Sequence, residues 1–473
     1  MAESGPSATW TPPHYDYSKT PALVSSTRLH PDDDNPHNFA RMAKWCPDGS
    51  AALAQCENRR LQTLEMPPEL ASLYGEDGTH PTARVFRQPS PILDFTWFPA
   101  ASTRDPASFC FMASVRECPV KLLDANDGRL RASYSIIDHR ERFIAPHSLA
   151  FNCSADRLFC GFEDAIEVFD VRRPGEGTRL HITPSKKSKD GLKGIVSALA
   201  FVPDATTGVY VAGSLSPSAP TSSNIALFSE ATGEAPLMFV GGDKGIGGIR
   251  ASVTQQLAFN PMRPHLLYAS FRRHDAIYEW DIRGDAQMPV RTFRRGRSVS
   301  KRDSNRTEAA GTVTTNQKLR FDIDISGQIL GAGGQVRTQI ATCASQCNSL
   351  HNTCRMGRYR YAVGSVSLHP LQPILLSVSG SRHFHLDGLE EGSESSTSTS
   401  ESELDSGNDH VGQPGGGPPA TVKFKRRRPQ PVTLDASVKY WSFQAGAYST
   451  GPETAGSDDN GLSRSSRAES FIR

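Results

Sequence analysis

Short apolar runs separated by polar turns recur along the chain, and the clearest group lies between residues 145 and 175. It contains three runs, which are Ser148–Phe151, Leu158–Phe162 and Ile166–Val171. Each is rich in β-branched, aromatic or other apolar residues and is shorter than a typical globular helix, so each predicts a β-strand. Asp156 and Glu163–Asp164 fall where the chain must reverse, which favours hairpins. Three strands alone cannot bury both of their faces, so the pattern predicts a larger assembly of sheets.

The pattern recurs in seven units, and an aromatic or large apolar residue closes the first strand of each. These residues are Trp45, Trp97, Phe151, Phe201, Phe259, Phe321 and Leu368, spaced 47 to 62 residues apart. A third strand ends in an aromatic residue followed by Asp at Phe169–Asp170 and at Trp280–Asp281. Strand triplets with this period and this ending are typical of β-propellers. The sequence therefore predicts an all-β fold, a β-propeller of seven blades.

Composition shifts along the chain predict where the propeller begins and ends. The blades are predicted over residues 21–384, and the last strand of blade seven over residues 436–443. Residues 1–20, the insertion at 385–435 and the tail at 444–473 are poor in apolar residues and predict disorder. The apolar patch Ala22–Val24 is expected to supply the outer strand of the last blade, so that no free edge remains.

One part of the repeat is not predicted by the sequence. After Gly331–Gln335 the expected third strand of blade six does not appear, because the following residues show no alternation of apolar and polar positions. The sequence therefore does not predict the structure of the outer half of that blade.

The composition narrows the class of protein. The chain has 473 residues, 37% of them hydrophobic, and a formal charge of +2, so any affinity for nucleic acid must come from local clusters. Its nine cysteines are an odd number scattered through predicted strands and loops, which favours a reducing compartment over a disulfide scaffold. No signal peptide and no run of 18 apolar residues is visible, so we expect a soluble intracellular protein.

Five unusual motifs occur in register, within the segments 44–70, 115–134, 147–175 and 314–328. The most distinctive are Pro67–Leu70, Phe159–Phe162 and Thr314–Gln317. With these motifs the chain resembles the telomerase Cajal body protein family of WD-repeat proteins, over about residues 39–380 and again over 436–442. The resemblance implies a WD-repeat propeller that recognises a short loop of small nuclear guide RNAs and of telomerase RNA. It also implies that the protein brings the particle to nuclear Cajal bodies.

The resemblance implies as partners a small nuclear guide RNA or telomerase RNA, together with the proteins of that particle. We expect a monomeric propeller with no cofactor, no small-molecule substrate and no membrane. The second interpretation is a protein-only WD-repeat adaptor in spliceosomal or ubiquitin-ligase assemblies. Crosslinking followed by sequencing of bound RNA would separate the two.

Basic residues gather on one face once the blades are drawn. Loops between blades and turns between second and third strands emerge on that face, whereas acids such as Asp48, Asp156 and Asp204 emerge on the other. Ordinary solvated loops would also carry many charged residues. Together with the family resemblance, however, the difference in charge between the two faces favours a surface that faces phosphates. The candidate RNA-binding residues are Arg59, Arg60, Arg116, Arg140, Lys186, Lys187, Phe271, Arg272, Arg273, Arg294, Arg295 and Arg297. Phe271, followed by Phe162, is placed to stack on bases, although both positions equally fit a core.

The insertion contains an acidic, serine-rich block from Asp387 to Asp409, a Gly–Pro stretch and then a basic hexamer. The basic hexamer is interpreted as a nuclear-import signal or an RNA-contacting arm. Its candidate import residues are Lys423, Lys425, Arg426, Arg427 and Arg428. The predicted location is therefore the nucleus.

Metal binding and catalysis are not predicted. Cys343, Cys347, His351 and Cys354 have a spacing that could hold zinc, but the usual paired C-x2-C knuckles are absent and the candidate is weak. His147 and Asp275 are better explained by hydrogen-bond networks within blades than by ligand binding. No Ser-His-Asp order, phosphate-binding loop or H-E-x-x-H motif occurs, so we do not expect an enzyme.

Overall fold

The computed structural model describes fourteen stretches of the chain. They are residues 11–16, 18–30, 32–67, 70, 83–183, 191–215, 224–241, 254–274, 276–295, 317–334, 339–342, 353–355, 362–384 and 431–444. The candidates Lys186, Lys187 and Arg297, the import residues of the basic hexamer and Asp275 lie outside the described residues.

Within these stretches the chain forms 31 strands, which build seven sheets of four or five strands and one two-stranded ribbon. β1 (Ala22–Arg28) is followed by blade one, formed by β2 (Ala40–Trp45), β3 (Ala52–Cys56), β4 (Arg60–Leu64) and β5 (Val85–Arg87). Blade two contains β6 (Ile92–Trp97), β7 (Cys110–Val115), β8 (Val120–Asp124) and β9 (Leu130–Ser135). Blade three contains β10 (Ser148–Phe151), β11 (Arg157–Phe162), β12 (Ala165–Asp170) and β14 (Thr178–Leu180). The short β13 (Gly175–Glu176) pairs in parallel with β9 and widens blade two.

The remaining blades follow in chain order. Blade four contains β15 (Ile195–Phe201), β16 (Val209–Leu215), β17 (Ile225–Ser229) and β18 (Met238–Val240). Blade five contains β19 (Thr254–Phe259), β20 (Leu266–Phe271), β21 (Ala276–Asp281) and β22 (Arg291–Arg294). Blade six contains β23 (Phe321–Ile323), β24 (Ile329–Ala332), β25 (Gln339–Thr342) and β26 (Thr353–Arg355). Blade seven contains β27 (Val363–Leu368), β28 (Ile374–Ser379), β31 (Ser437–Ser442) and β1, and the ribbon is β29 (His383–Phe384) with β30 (Pro431–Val432).

The all-β WD-repeat propeller predicted from the sequence is confirmed by this topology. Hydrophobic side chains pack between neighbouring blades: Met42 and Leu53 of blade one, for example, share a cluster with Phe95 and Phe111 of blade two. Such packing between sheets explains why strands that are almost fully buried alternate with polar turns in the sequence. No helix among the described residues is both long and apolar enough to cross a membrane.

Side chains on the first strands join each blade to the next. The Ser148 hydroxyl donates to the Val196 carbonyl at 2.9 Å, and the Ser197 hydroxyl donates to the Thr254 carbonyl at 2.7 Å. The ring is completed where the indole Nε1 of Trp45 donates to the Ser367 carbonyl at 3.1 Å. The first strands thereby surround a central channel, and this positions the candidate site.

The last blade is closed by the N-terminal strand, as predicted. β1 pairs antiparallel with β31 from Ala22 opposite Ser442 to Arg28 opposite Ser437. The packed chain begins earlier than residue 21, however, because the ring of Tyr15 is buried against Phe443 and its hydroxyl donates to the His369 carbonyl at 3.3 Å. Disorder was therefore wrongly predicted for this part of residues 1–20.

Three further boundaries differ from the sequence predictions. Phe321 begins the first strand of blade six instead of closing it, and Ile323 is its last residue. The insertion predicted over residues 385–435 extends too far, because Pro431–Val432 already forms a strand that pairs with His383–Phe384. Blade six has outer strands, β25 and β26, although the sequence did not predict them.

Candidate nucleic-acid interface

The predicted basic face carries exposed arginines in the described turns. Arg59, Arg116 and Arg272 lie in hairpins between second and third strands, and Arg140 lies in the loop between blades two and three. Arg273 and Arg294 are exposed on the same side of blade five. The structure therefore leaves these six candidates accessible to solvent.

Backbone conformation holds several of these hairpin tips in place. A non-glycine residue with positive φ occurs in four of the hairpins: Arg59 at 63°, Glu117 at 58°, Asp164 at 57° and Arg273 at 64°. Such a conformation costs about 1–2 kcal/mol for an L-residue, so the surrounding strands must impose it. The constraint fixes the position of the neighbouring turn residues at one face of the propeller.

Three of the predicted RNA-binding residues are buried, so for these residues the prediction is wrong. Arg60 forms an ion pair with Asp32 at 3.0 Å and is 8% exposed, so it stabilises the fold. Arg295 is equally buried, and its guanidinium donates to the Leu319 carbonyl at 3.1 Å. The ring of Phe271 is 1% exposed and cannot stack on a base.

The aromatic core of blade five explains the position of Phe271. Its ring packs edge-on against Tyr278 and Trp280, with centroids 5.8 and 6.4 Å away. Phe162 is also buried, in the cluster between blades two and three. Of the two alternatives left open for these rings, the structure therefore supports the core.

The channel mouth on the basic face carries charged residues that the sequence analysis missed. Charged and apolar residues alternate from Lys318 onward: Lys318, Arg320 and Asp322 take one side, and the buried Leu319 and Phe321 take the other. Arg320 and Asp322 line the channel, and Lys318 precedes them at its mouth, where the residue reaches solvent although protein atoms crowd its ammonium. This alternation was visible in the sequence, so period-2 reading of residues 318–322 would have found the cluster.

Charges from several blades act on one another across this mouth. Desolvation and the positive charges of Arg320, Arg41 and Arg272 lower the pKa of Lys318 to about 8, against the opposing effect of Asp94. Desolvation also lowers the pKa of His147, which the charges of Lys318 and Arg116 depress further. Arg116 and Arg272 were candidates from the sequence, and the structure brings both within electrostatic range of this cluster.

Deeper in the channel, cations and carboxylates face each other. The Lys44 ammonium donates to the Phe95 carbonyl at 3.0 Å, and desolvation lowers its pKa while Asp94 raises it. Desolvation raises the pKa of Asp322 to about 6, although its carboxylate accepts the backbone N–H of Leu368 at 2.8 Å. Burial disfavours the charged form of each of these groups. Their hydrogen bonds to the backbone hold them in place within the fold.

At the rim, the Glu57 carboxylate forms ion pairs with two arginines. Its carboxylate is 3.2 Å from the guanidinium of Arg41, and it also pairs with Arg382. The Arg41 side chain remains 49% exposed. One carboxylate therefore faces two guanidinium groups, and the rim keeps its positive character.

The site is not suited to a metal ion as far as the structure describes it. Among the described residues no group of three or more His, Cys, Asp or Glu side chains could hold a metal. Cys343, Cys347 and His351 of the weak zinc candidate lie outside the described residues, and Cys354 lies in β26, where side chains are not described. The chemistry that the channel mouth offers is recognition of an anion by lysine and arginine.

The fold and this site define a WD-repeat β-propeller with a basic channel mouth. The chain is 31% identical over 376 residues to Telomerase Cajal body protein 1 of Rattus norvegicus, a match that covers 78% of this chain and 64% of the rat protein. It is 30% identical over 378 residues to the Homo sapiens protein of the same name, covering 78% and 62% respectively. These matches confirm the predicted relationship to the telomerase Cajal body protein family. The chain spans less than two thirds of these relatives, whose names refer to the nuclear Cajal body, in agreement with the predicted nuclear location.

A more distant relative has a different name. The chain is 24% identical over 349 residues to Guanine nucleotide-binding protein negative regulator 1 of Schizosaccharomyces pombe, covering 71% of this chain and 78% of that protein. No protein-family model matches the chain.

Proposed function

We propose that this protein is a non-catalytic RNA-binding scaffold that recognises a small nuclear guide RNA or telomerase RNA and directs the particle to the Cajal body. The observation that carries this proposal is the cationic channel mouth, where desolvation and the nearby charges of Arg320, Arg41 and Arg272 all disfavour the charged form of Lys318. A cluster that destabilises its own charges is typical of a functional site, because an anionic ligand relieves the repulsion.

The relatives and the geometry both support this choice of RNA. The names of the mammalian relatives refer to telomerase and to the Cajal body. Exposed arginines of blades two and five flank the mouth, so a strand of RNA crossing the face would meet cations on both sides. The nucleus is the location that fits such a ligand.

The test compares charge removal on the two faces. Arg116→Ala with Arg272→Ala should lower RNA affinity about tenfold and flatten its salt dependence, because about 0.7 counterion is released per phosphate contact with a single strand. The control pair, Arg172→Ala with Arg173→Ala, removes two exposed charges from the opposite face and should change affinity less than twofold. Filter binding of a small nuclear RNA at two salt concentrations measures both. Equal losses from the two pairs would contradict the proposal.

A protein-only adaptor is the second candidate function. The fission-yeast relative, which the chain matches over 78% of that protein's length, is named as a regulator of a guanine nucleotide-binding protein. In this case the basic face would dock an acidic peptide. Absence of measurable RNA binding by the wild-type protein at low salt would favour this alternative.

A further inference from the structure

On the face opposite the basic one, apolar side chains surround part of the central channel. They belong to the turns between first and second strands of four neighbouring blades and form an apolar arc of Pro47, Pro261, Met262, Ile325, Pro370 and Leu371. Met262, Ile325 and Leu371 are 68%, 40% and 42% exposed. The arc borders a single cavity of 460 Å³ in the channel, since Pro47, Pro261, Ile325 and Pro370 all line it. A continuous exposed apolar surface of this kind is typical of a binding site.

Buried polar side chains hold the apolar arc in place. The carboxamide of Asn260 accepts the N–H of Met262 at 3.1 Å and donates to the Gly327 carbonyl at 2.8 Å, which joins the turns of blades five and six. Nε2 of His369 donates to the Gly49 carbonyl at 3.1 Å and joins the turns of blades seven and one. A surface that is already fixed in this way loses little conformational entropy when a ligand binds.

The turns that carry the arc are negatively charged. In the seven turns between first and second strands, five aspartates stand against two arginines: Asp48, Asp105, Asp156, Asp204 and Asp324 against Arg104 and Arg263. Of the two arginines, Arg263 already donates to the Gly327 carbonyl at 3.1 Å. An apolar surface with this surrounding charge fits a ligand that combines apolar side chains with positive charge.

A segment of the chain itself has this chemistry. Residues 462–473 have the sequence LSRSSRAESFIR, which contains three arginines and one glutamate. The apolar pair Phe471 and Ile472 lies among these charges. The segment is outside the described residues. Its composition is therefore complementary to the apolar arc in both hydrophobicity and charge.

The described chain ends beside the apolar arc. The N–H of Phe443 donates to the Pro373 carbonyl at 2.9 Å, in the turn that also carries Leu371. β31 is the third strand of blade seven counted from the channel, so it lies about 10 Å from the first strand. Phe471 follows Gln444 by 27 residues, and a random coil of that length spans about 30 Å. The arc is thus within reach of residues 462–473.

We propose that residues 462–473 dock on the apolar arc of the same chain, with Phe471 and Ile472 against Met262, Ile325 and Leu371. The arginines of the segment lie over the negatively charged turns. The tether gives the segment an effective concentration on the order of millimolar at the arc, so even modest affinity keeps it docked. A partner protein with the same combination of apolar and basic side chains binds this face only by displacing the segment.

Photocrosslinking of the whole chain tests where the segment lies. With p-benzoylphenylalanine in place of Phe471, mass spectrometry after irradiation should find crosslinks to Met262, Ile325 or Leu371. In an equal mixture of protein labelled with heavy nitrogen and unlabelled protein, each crosslinked pair of peptides should carry one isotope only. Pairs of mixed isotope would assign the arc to a second copy, and crosslinks confined to other residues would place the segment elsewhere. Either result would overturn the proposal.

A charge placed in the arc provides the matched variant. Ile325→Lys changes an exposed position and should lower the yield of crosslinks to Met262 and Leu371 about tenfold, because its ammonium faces apolar side chains and repels the arginines. Leu130→Lys adds the same charge at a 53% exposed position on β9 of blade two, away from the arc, and should keep the wild-type yield. Equal yields from the two variants would contradict docking on the arc.

A fluorescent synthetic peptide of residues 462–473 measures the competition by anisotropy. The double variant Phe471→Ser with Ile472→Ser should bind it at least about tenfold more tightly than the wild-type protein, whose own segment occupies the arc. Adding Ile325→Lys to the double variant should abolish this binding, whereas adding Leu130→Lys should not change it. Equal binding by the wild type and the double variant would overturn the proposal. So would no binding to the double variant at about 1 mM peptide, because the tether could not then keep the segment docked.

Discussion

The two faces of the propeller use their charges in different ways. On the face opposite the basic one, acids in the turns between first and second strands bond to their own turns. Asp48 accepts the backbone N–H of Ser50 at 2.9 Å, and Asp204 accepts that of Thr206 at 2.9 Å. The hydroxyl and backbone bonds from Thr206 lower the pKa of Asp204. These acids shape turns and contribute to folding.

On the basic face, by contrast, several positive charges lie close to Lys318 and disfavour its charged form. Desolvation lowers the pKa of Lys318, and the charges of Arg320, Arg41 and Arg272 depress it further. The difference in charge between the two faces therefore has two origins: acids that stabilise turns, and bases that the proposed function assigns to an anionic ligand. Only the basic face is expected to respond to RNA, and three experiments can sharpen or break this distinction.

The largest effect should follow removal of a turn acid. Asp324 is buried and accepts the backbone N–H groups of Ser326, Gln328 and Ile329 at 3.1, 2.8 and 2.6 Å. Asp324→Ala leaves these donors without their acceptor and should lower the free energy of unfolding by about 3–5 kcal/mol. Asp204→Ala, at an exposed turn, should cost much less.

Urea unfolding measures both variants, and filter binding at a temperature where they are folded measures RNA affinity. The affinity should stay within twofold of wild type. A larger loss of affinity would mean that the turn acids also serve the ligand, and the distinction between the faces would fail.

The next effect concerns a histidine in the same kind of turn. In blade seven, Nδ1 of His369 accepts the backbone N–H of Leu371 at 3.0 Å, and Nε2 donates to the Gly49 carbonyl at 3.1 Å, so the ring is neutral. Desolvation lowers its pKa to about 4. The unfolded chain, with a histidine pKa near 6.5, therefore binds more protons than the folded protein between these values. His369 contributes stability that is complete above about pH 6.5 and is lost as the pH falls to about 4.

The predicted loss is about 3 kcal/mol over that window, from 1.36 kcal/mol for each pKa unit. Asp322 opposes it, since its raised pKa of about 6 makes folding more favourable as the pH falls from 6. The measurement is therefore the difference in unfolding free energy between wild type and His369→Asn at pH 7, 5.5 and 4. This difference should shrink as the pH falls, and a constant difference would refute the role of His369.

The smallest effect concerns the charge of Lys318. Because its pKa is about 8, the ammonium should lose its proton between pH 7 and 9, and RNA affinity should fall about threefold to tenfold. Lys318→Arg keeps its charge and should keep its affinity over the same range. Stability should change in the opposite sense: the unfolded chain binds more protons between pH 8 and 10.5, so wild type gains stability relative to Lys318→Arg as the pH rises.

Fluorescence anisotropy with a short single-stranded RNA at pH 7, 8 and 9 measures the affinity, and thermal melts measure the stability. Parallel pH profiles for the wild-type protein and for Lys318→Arg would show that this lysine does not contact the ligand.

Much of the fold could be predicted from local patterns. Trp45, Trp97, Phe151 and Phe259 each end a first strand where the sequence placed it, because the alternation of polar and apolar residues and the following turn are both local signals. In blade six the first strand ends at Ile323, two residues later than the sequence predicts. Charged residues there occupy the channel side of the strand, and Ile323 extends its apolar side.

The site was harder to predict because burial depends on distant partners. Arg60 pairs with Asp32, and Arg295 reaches the Leu319 carbonyl, and neither contact is signalled by nearby residues. The sequence placed basic residues in turns on one face, but it could not separate arginines that are buried in the fold from those that remain accessible. Only the alternation after Lys318 was local enough to reveal the channel cluster.

The pairing of β1 with β31 has a consequence for synthesis of the protein. Of the 31 strands in the described chain, β1 leaves the ribosome first and its partner β31 leaves last. Until Ser437–Ser442 has emerged, β1 and β28 both present open edges that can pair with other chains. Earlier blades can stack while translation continues, but the ring cannot close. A chain that stops before Ser437 therefore keeps both edges exposed and is a substrate for aggregation or for chaperones.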